Sequence, residues 1–174
     1  PYMFDFYDGG GIDIASLSFA EVDELGNVNV HAFGERLRGP GGFPNISRGA
    51  KKVCFVGTLT TGGLKALIKD GAIEIAAEGV TERFVDQVRE ITFSGPDAAE
   101  RGQEVRYITE RAVFALIKGT VTMIEIASGL DPEEDVIAHM GFRPAISPNL
   151  STIDRVVFST GMMGLRRRLE GVGP

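Results

Sequence analysis

One cysteine, no tryptophan and two histidines are found among the 174 residues. A single cysteine, Cys54, excludes an intramolecular disulfide and suits a reducing compartment, so the expected location is cytoplasmic. His31 and His139 are isolated, at no ligand spacing from Cys54 or from each other, so no metal site is expected. No apolar run approaches the ~20 residues of a transmembrane helix, and no signal peptide is visible, so no membrane partner is expected. Lys and Arg number 18 against 24 Asp and Glu, and the resulting net charge of −6 argues against nucleic acid as a main partner. Three familiar patterns are also missing. There is no Gly-x-Ser-x-Gly elbow and no Walker loop with Gly-Lys-Ser/Thr, and Gly9-Gly10-Gly11 does not fit the Gly-x-Gly-x-x-Gly dinucleotide fingerprint.

Hydrophobic residues at 43% and charged residues at 24% describe an ordinary globular chain with enough apolar side chains for one core. With no internal repeat or linker, residues 1–174 read as one α/β domain. Tyr2 to Tyr7 reads as the tail of a buried strand closed by Asp8 and three glycines. Ile12 to Val22 reads as a strand of a sheet covered on both faces. Val53 to Gly57 and Val105 to Thr109 are further strands, and Val85 to Phe93 reads as extended. Asp70-Gly71 marks one hairpin and Lys118-Gly119 a second. Short helices are expected at Pro96–Arg101, behind Ser94 or Gly95, and from Asp131 through Met140, where Asp is the N-cap and Pro132 the first residue. A last helix is expected near Met162 to Leu169. Pro1 opens the chain without Met and directly in apolar sequence, as expected of a piece of something longer, truncated at its N-terminus.

The most informative stretch is Arg38-Gly39-Pro40-Gly41-Gly42-Phe43-Pro44-Asn45-Ile46-Ser47, which leads through a turn into a helix start. Glycines there leave no Cβ to block a ligand, and free N–H groups at a helix start can face a phosphate or an acyl oxygen. The same residues also suit a tight loop with no ligand. Arg36, Arg38, Arg48, Lys51 and Lys52 flank the loop, either as a cluster for an anionic ligand or as a solvated rim. Asp13 either faces the same cleft or is a structural acid. Glu110 is read as half of an ion pair with Arg111 or another arginine, because a buried carboxylate alone is costly.

In order along the chain, FDFYDGGGIDIASLSFAEVDELGNVNV, GPGGFPNIS, KKVCFVGTLTTGG, TFSGP, ITERAVF, TMIEIASGLD and FRPAISPNL resemble the C-terminal, β-subunit-like half of class I CoA-transferases. The branch most resembled is the acyl-CoA:acetate or propionate CoA-transferases. The resemblance implies an open, mixed, largely parallel sheet flanked by helices, with hairpin additions. It also implies transfer of CoA between an acyl-CoA and a short-chain carboxylic acid, through a glutamyl-CoA thioester on a glutamate that lies upstream of Pro1. It assigns Gly42 as the oxyanion amide and Gly41 as the residue shaping its turn. Gly9, Gly10, Gly11, Asp13 and Asn45 are its substrate- or CoA-binding candidates, although Asp13 stands where relatives sometimes carry an amide. Coenzyme A enters as substrate, with no separate cofactor. The implied partners are the missing N-terminal half and further copies in a homo-oligomer. Two alternatives are a non-catalytic CoA-binding or assembly module on the same scaffold and, with less support, a sugar-phosphate isomerase.

Overall fold

The structure, a computed structural model, describes residues 2–169. Its frame is a six-stranded sheet in the order β1-β6-β11-β12-β13-β14. β1 (Ile14–Ser18), β6 (Lys52–Val56) and β11 (Glu104–Ile108) run parallel, with Ala15 beside Val53 and Val53 beside Val105. β12 (Ala112–Ile117) and β13 (Thr120–Ile126) form an antiparallel hairpin on β11, and β14 (Ala145–Thr152) joins β13 in parallel. Between β1 and β6 lie two small antiparallel pairs, β2 (Glu21–Val22) with β3 (Val28–Asn29) and β4 (Ala32–Phe33) with β5 (Arg36–Leu37). α2 (Phe43–Gly49) completes that connection. Between β6 and β11 lie β7 (Thr60–Thr61), the hairpin of β8 (Lys65–Lys69) and β9 (Ala72–Ala77), β10 (Thr81–Glu82) and α3 (Gly95–Glu100). α1 (Tyr2–Asp8) and α4 (Leu165–Leu169) stand at the two ends of the described chain. No described helix is long and apolar enough to cross a membrane.

Aromatic packing on β6 builds the core. Phe55 is fully buried and stacks on Phe43 and on Tyr107, each 5.7 Å between ring centroids, while Phe93 meets it edge-on at 4.9 Å. A second set joins it through Phe84, which contacts Phe19, Phe114 and Phe142. Tyr107 donates its hydroxyl proton to the Gly26 carbonyl at 2.6 Å, so its polar end is satisfied inside.

Both hairpins and α3 form where sequence places them, α3 with Ser94 accepting from the Asp97 N–H. Four readings need correction. Tyr2 to Tyr7 is helical, because Gly9, Gly10 and Gly11 donate to the carbonyls of Asp5, Tyr7 and Phe6 and so close a helix C-terminus, with Gly10 at φ +77°. A run of six apolar-rich residues is too short for periodicity to tell helix from strand. β1 alternates between buried and open positions, so the described chain covers one face of the parallel strands and leaves Ile14 and Val56 on the other exposed. Val85 to Phe93 is irregular, with isolated bridges at its edges (Val22–Phe84 and Val28–Phe93) and its middle held by Val88 and Arg89 N–H groups donating to Asp23 and Glu21. The segment after Asp131 is a π-helical turn, Pro132–Val136, followed by a 3-10 turn, Ile137–His139, although Asp131 caps it by accepting from Glu133 and Glu134. Truncating Phe55 to Ala removes the ring that joins α2, β6 and β11. Urea unfolding should show a loss of about 3–5 kcal/mol, and a loss below about 1 kcal/mol would mean that the aromatic stack is not the keystone.

Candidate functional site

The glycine loop is a hydrogen-bonded turn. Phe43 donates its N–H to the Pro40 carbonyl at 3.2 Å, with Gly41 at φ +59° and Gly42 at φ −79°, ψ 1°. A positive φ at the first central residue and a negative one at the second is the type II′ pattern, which calls for glycine at the first position. Gly41 therefore has a conformational reason to be glycine. Gly42 has none: its φ suits any residue, and an added Cβ would sit in ordinary contact, 3.5 Å from Ile46 Cδ1 and 3.9 Å from Phe4 Cε1. Gly42 caps α2 without a side chain, and its carbonyl accepts from the Ile46 N–H at 3.0 Å. Among the described residues the N–H groups of Gly41 and Gly42 have no acceptor. Phe43, directly after, is locked into the core against Phe55. The outcome is a pair of unspent amides on a rigid mount.

α1 lies along α2. Phe4 approaches Gly42, Asn45 donates from Nδ2 to Asp8 Oδ1 at 2.9 Å, and the Tyr7 carbonyl leaves no room for a side chain at Gly49. Asn45 and Asp8, with Pro44 and Arg48, border an open hollow of about 260 Å³. The amides of Gly9, Gly10 and Gly11 are all engaged in ending α1, so the triplet is accounted for by capping. Asp13 is solvent-exposed and bonded to Lys51 Nζ at 2.7 Å, a contact that holds its carboxyl below the usual range. Lys51 follows the C-terminal end of α2, and Gly42 stands at the other end of that helix, about 10 Å away. The structure thus groups Gly41, Gly42 and Asn45 with α1 and leaves Asp13 apart.

Sequence reading also missed the extent of a buried charge cluster beyond the carboxyl ends of β6 and β11. Arg111 is 1% exposed, and its Nε donates to Glu110 Oε1 at 2.9 Å, as expected from sequence. Its Nη1 donates to the Asp135 carbonyl at 2.7 Å. Its Nη2 lies 2.8 Å from Glu78 Oε1 in poor hydrogen-bond alignment, so that contact is an ion pair. Glu110 also accepts from the Leu59 N–H, and Glu78 from Thr60 Oγ1. His139 Nδ1 stands 3.8 Å from Glu78 Oε2, and His31 Nδ1 is 2.6 Å from Thr92 Oγ1. Glu78 lies 33 positions before Arg111, on the far side of an irregular stretch, and no sequence signal links them.

No protein-family model matches the sequence. The chain is 52% identical over 162 residues to the acetate CoA-transferase YdiF of Escherichia coli K12, a match that takes in 93% of this chain and 30% of that protein. It is 48% identical over 168 residues to a caffeate CoA-transferase of Acetobacterium woodii, covering 94% of this chain and 32% of the relative. The crystal structure of apo YdiF from E. coli O157:H7 has a TM-score of 0.91 at 51% identity, over 94% of this chain and 32% of that one. A further YdiF structure, also with a TM-score of 0.91, is of its thioester complex with CoA. The chain belongs to the class I CoA-transferase family, and it spans about 30% of the length of the curated relatives it matches.

Two outcomes test this geometry. Gly41→Ala should cost about 1–2 kcal/mol in urea unfolding because its φ is positive, whereas Gly42→Ala should be neutral or slightly stabilising. Equal losses would remove the distinction between the two glycines. Burial pushes the Glu78 carboxyl up, but Arg111, Thr60 and His139 outweigh it, and its pKa lies below the ordinary 4.5. The stabilisation is therefore complete above 4.5, where the unfolded carboxyl is ionised, and is lost as pH falls through the lower folded value. Glu78→Gln should lower stability at neutral pH and flatten the acid limb of a stability–pH curve. Parallel curves for the two proteins would contradict the pairing.

Proposed function

We propose that this chain supplies the oxyanion amides of a CoA-transferase that moves CoA from an acyl-CoA to a short-chain carboxylic acid through a glutamyl-CoA thioester. The nucleophile on this reading is a glutamate in polypeptide preceding Pro1. Its carboxylate attacks the thioester carbonyl, the adduct expels CoA thiolate, and an acyl-glutamyl anhydride remains. The thiolate then attacks the glutamyl carbonyl and releases the first acid, leaving the glutamyl-CoA thioester. The acceptor carboxylate reverses these steps, so that CoA leaves on the new acid and the glutamate is regenerated. Each adduct places a negative charge on the former carbonyl oxygen. A fixed N–H from Gly42 would stabilise that charge, an effect typically worth ~3 kcal/mol per donor.

The observation that carries this reading is Gly42: an unspent amide where the fold has room for a side chain, beside the amino end of α1. Such a glycine is explained by what approaches from outside. The rest of the enzyme is the natural cover for two surfaces. One is the open face of the parallel strands, where Ile14 and Val56 stand among Ser16, Lys52, Glu104 and Arg106, and the other is the apolar α1, where Tyr2 is 88% and Phe6 56% exposed. Coenzyme A serves as substrate, in keeping with the CoA thioester complex known for YdiF.

In the intact polypeptide that carries this chain, Gly42→Val should lower kcat by about 10²–10³ while leaving unfolding nearly unchanged. Unaltered turnover would take Gly42 out of the mechanism. The 174-residue chain by itself, incubated with an acyl-CoA and acetate, should give no transfer; measurable transfer would place the nucleophile inside it.

A further inference from the structure

Arg83 is held firmly and yet makes no ion pair among the described residues. Its main chain is fixed on both sides, by Arg83 N–H to the Leu59 carbonyl and by Val22 N–H to the Arg83 carbonyl. Its Nε donates to the Ala20 carbonyl at 3.1 Å, and its guanidinium carbon lies 4.5 Å from the centroid of the Phe19 ring. Gly57 continues β6 by one residue, with its N–H donating to the Ile108 carbonyl. A Cβ there would stand 2.8 Å from both Arg83 Nη1 and the Phe19 ring, and Gly57 has no positive φ to explain its choice. The missing side chain makes the seat in which the guanidinium rests.

A half-buried guanidinium loses hydration and normally meets a carboxylate. Arg111 shows the usual solution, with two carboxylates beside it. Arg83 has no carboxylate within 4.0 Å among the described residues. Glu110 is electrostatically coupled to it, but that carboxylate is already committed to Leu59 N–H and Arg111. Arg83 instead borders a groove of about 390 Å³ together with Phe33, Gly34, Thr61 and Thr81. Thr61 and Thr81 face one another across the β7–β10 pair, and both are exposed. Of the two carboxylates on the walls, Glu21 is turned to Asn29 Nδ2 and Arg89 N–H. Glu82, between Thr81 and Arg83, is exposed on the groove's rim and makes no ion pair with Arg83.

The groove is close to the glycine loop in two ways. Its Phe33-Gly34 wall is the turn of the β4–β5 hairpin, which runs directly into that loop. Phe43 rests on Phe55, and Arg83 rests on Gly57, two positions further along the same face of β6, about 7 Å away.

We propose that Arg83, with the hydroxyls of Thr61 and Thr81, forms an anion subsite that receives a phosphate or carboxylate group of a substrate. The forked guanidinium suits either group, and two hydroxyl donors complete the shell. The inference rests on the CoA-transferase reading only for the source of the anion: a CoA phosphate or the acceptor carboxylate.

The test uses the intact polypeptide carrying this chain, as wild type, Arg83→Gln and Arg83→Lys, with CoA, dephospho-CoA and acetate as calorimetric probes. Arg83→Gln should raise a Kd by about tenfold or more, and Arg83→Lys should recover part of the loss. A loss for CoA alone assigns a phosphate, and if dephospho-CoA is spared that phosphate is the 3′ one. A loss for acetate alone assigns the carboxylate. Thr81→Val, at an exposed position, should weaken the same probe and serves if Arg83→Gln fails to fold. Unchanged Kd values for every probe in folded variants would overturn the subsite, even in an active transferase. A protein that binds CoA through Arg83 but transfers none would keep the subsite and defeat the reading of function.

Discussion

The stacking of Phe43 on Phe55 is the contact on which the rest of the arrangement depends. Gly41 and Gly42 are by nature permissive, and a free Gly-Gly pair would spread over many conformations. The next residue is immobilised against β6, so the permissive pair is tethered at one end to the buried aromatic core. The Phe43 N–H to Pro40 carbonyl bond closes the other end of the turn. Amides held this way lose little freedom when an anion reaches them, which is the condition for preorganised stabilisation of charge.

The same central strand organises the opposing chemistry at its carboxyl end. Arg111, Glu110 and Glu78 form a closed set, tied to main-chain groups of Leu59 and Asp135. Such a set fixes how the β8–β9 excursion and the turns after Asp131 meet the sheet, and its charges are largely spent on one another. Arg83, which follows β10 and packs against Gly57 just past the end of β6, has an aromatic ring and a carbonyl for partners instead. Two arginines near the carboxyl end of β6 thus differ in whether the fold gives them an ion pair.

Much of this was legible in sequence where the determinant is local. Asp70-Gly71 and Lys118-Gly119 specify their turns, Ser94 and Asp131 specify helix starts, and the pairing of Glu110 with Arg111 follows from the cost of burying a lone carboxylate. Nonlocal features were not legible. The strand read into Tyr2 to Tyr7 failed because six apolar-rich residues fit either period, and the bonds by which Gly9, Gly10 and Gly11 end the helix decide the matter. The double-sided cover expected for β1 failed because its packed apolar residues lie on one face only, and Ser16 and Ser18 lie on the open face beside Ile14. Glu78 and Arg83 gave no signal at all, since each acquires its meaning from residues far along the chain, Arg111 for Glu78 and Phe19 for Arg83.

A glycine-rich sequence makes every glycine a candidate, and the structure sorts them by asking what a Cβ would do. At Gly11 and Gly49 a side chain would collide with Phe6 or with the Tyr7 carbonyl, so packing alone explains them. At Gly41 the backbone angle explains the choice. At Gly57 the neighbouring guanidinium and ring do, which moves the question from the glycine to Arg83. Gly42, like Gly39 in the same loop and Gly161, is left with neither a positive φ nor a packing reason inside the fold, and of these Gly42 is the one mounted at the start of α2. The free amide of Gly42 and the guanidinium of Arg83 are held through β6 alike, one by way of Phe43 on Phe55 and the other against Gly57, so the rigidity of that strand is common to both proposals.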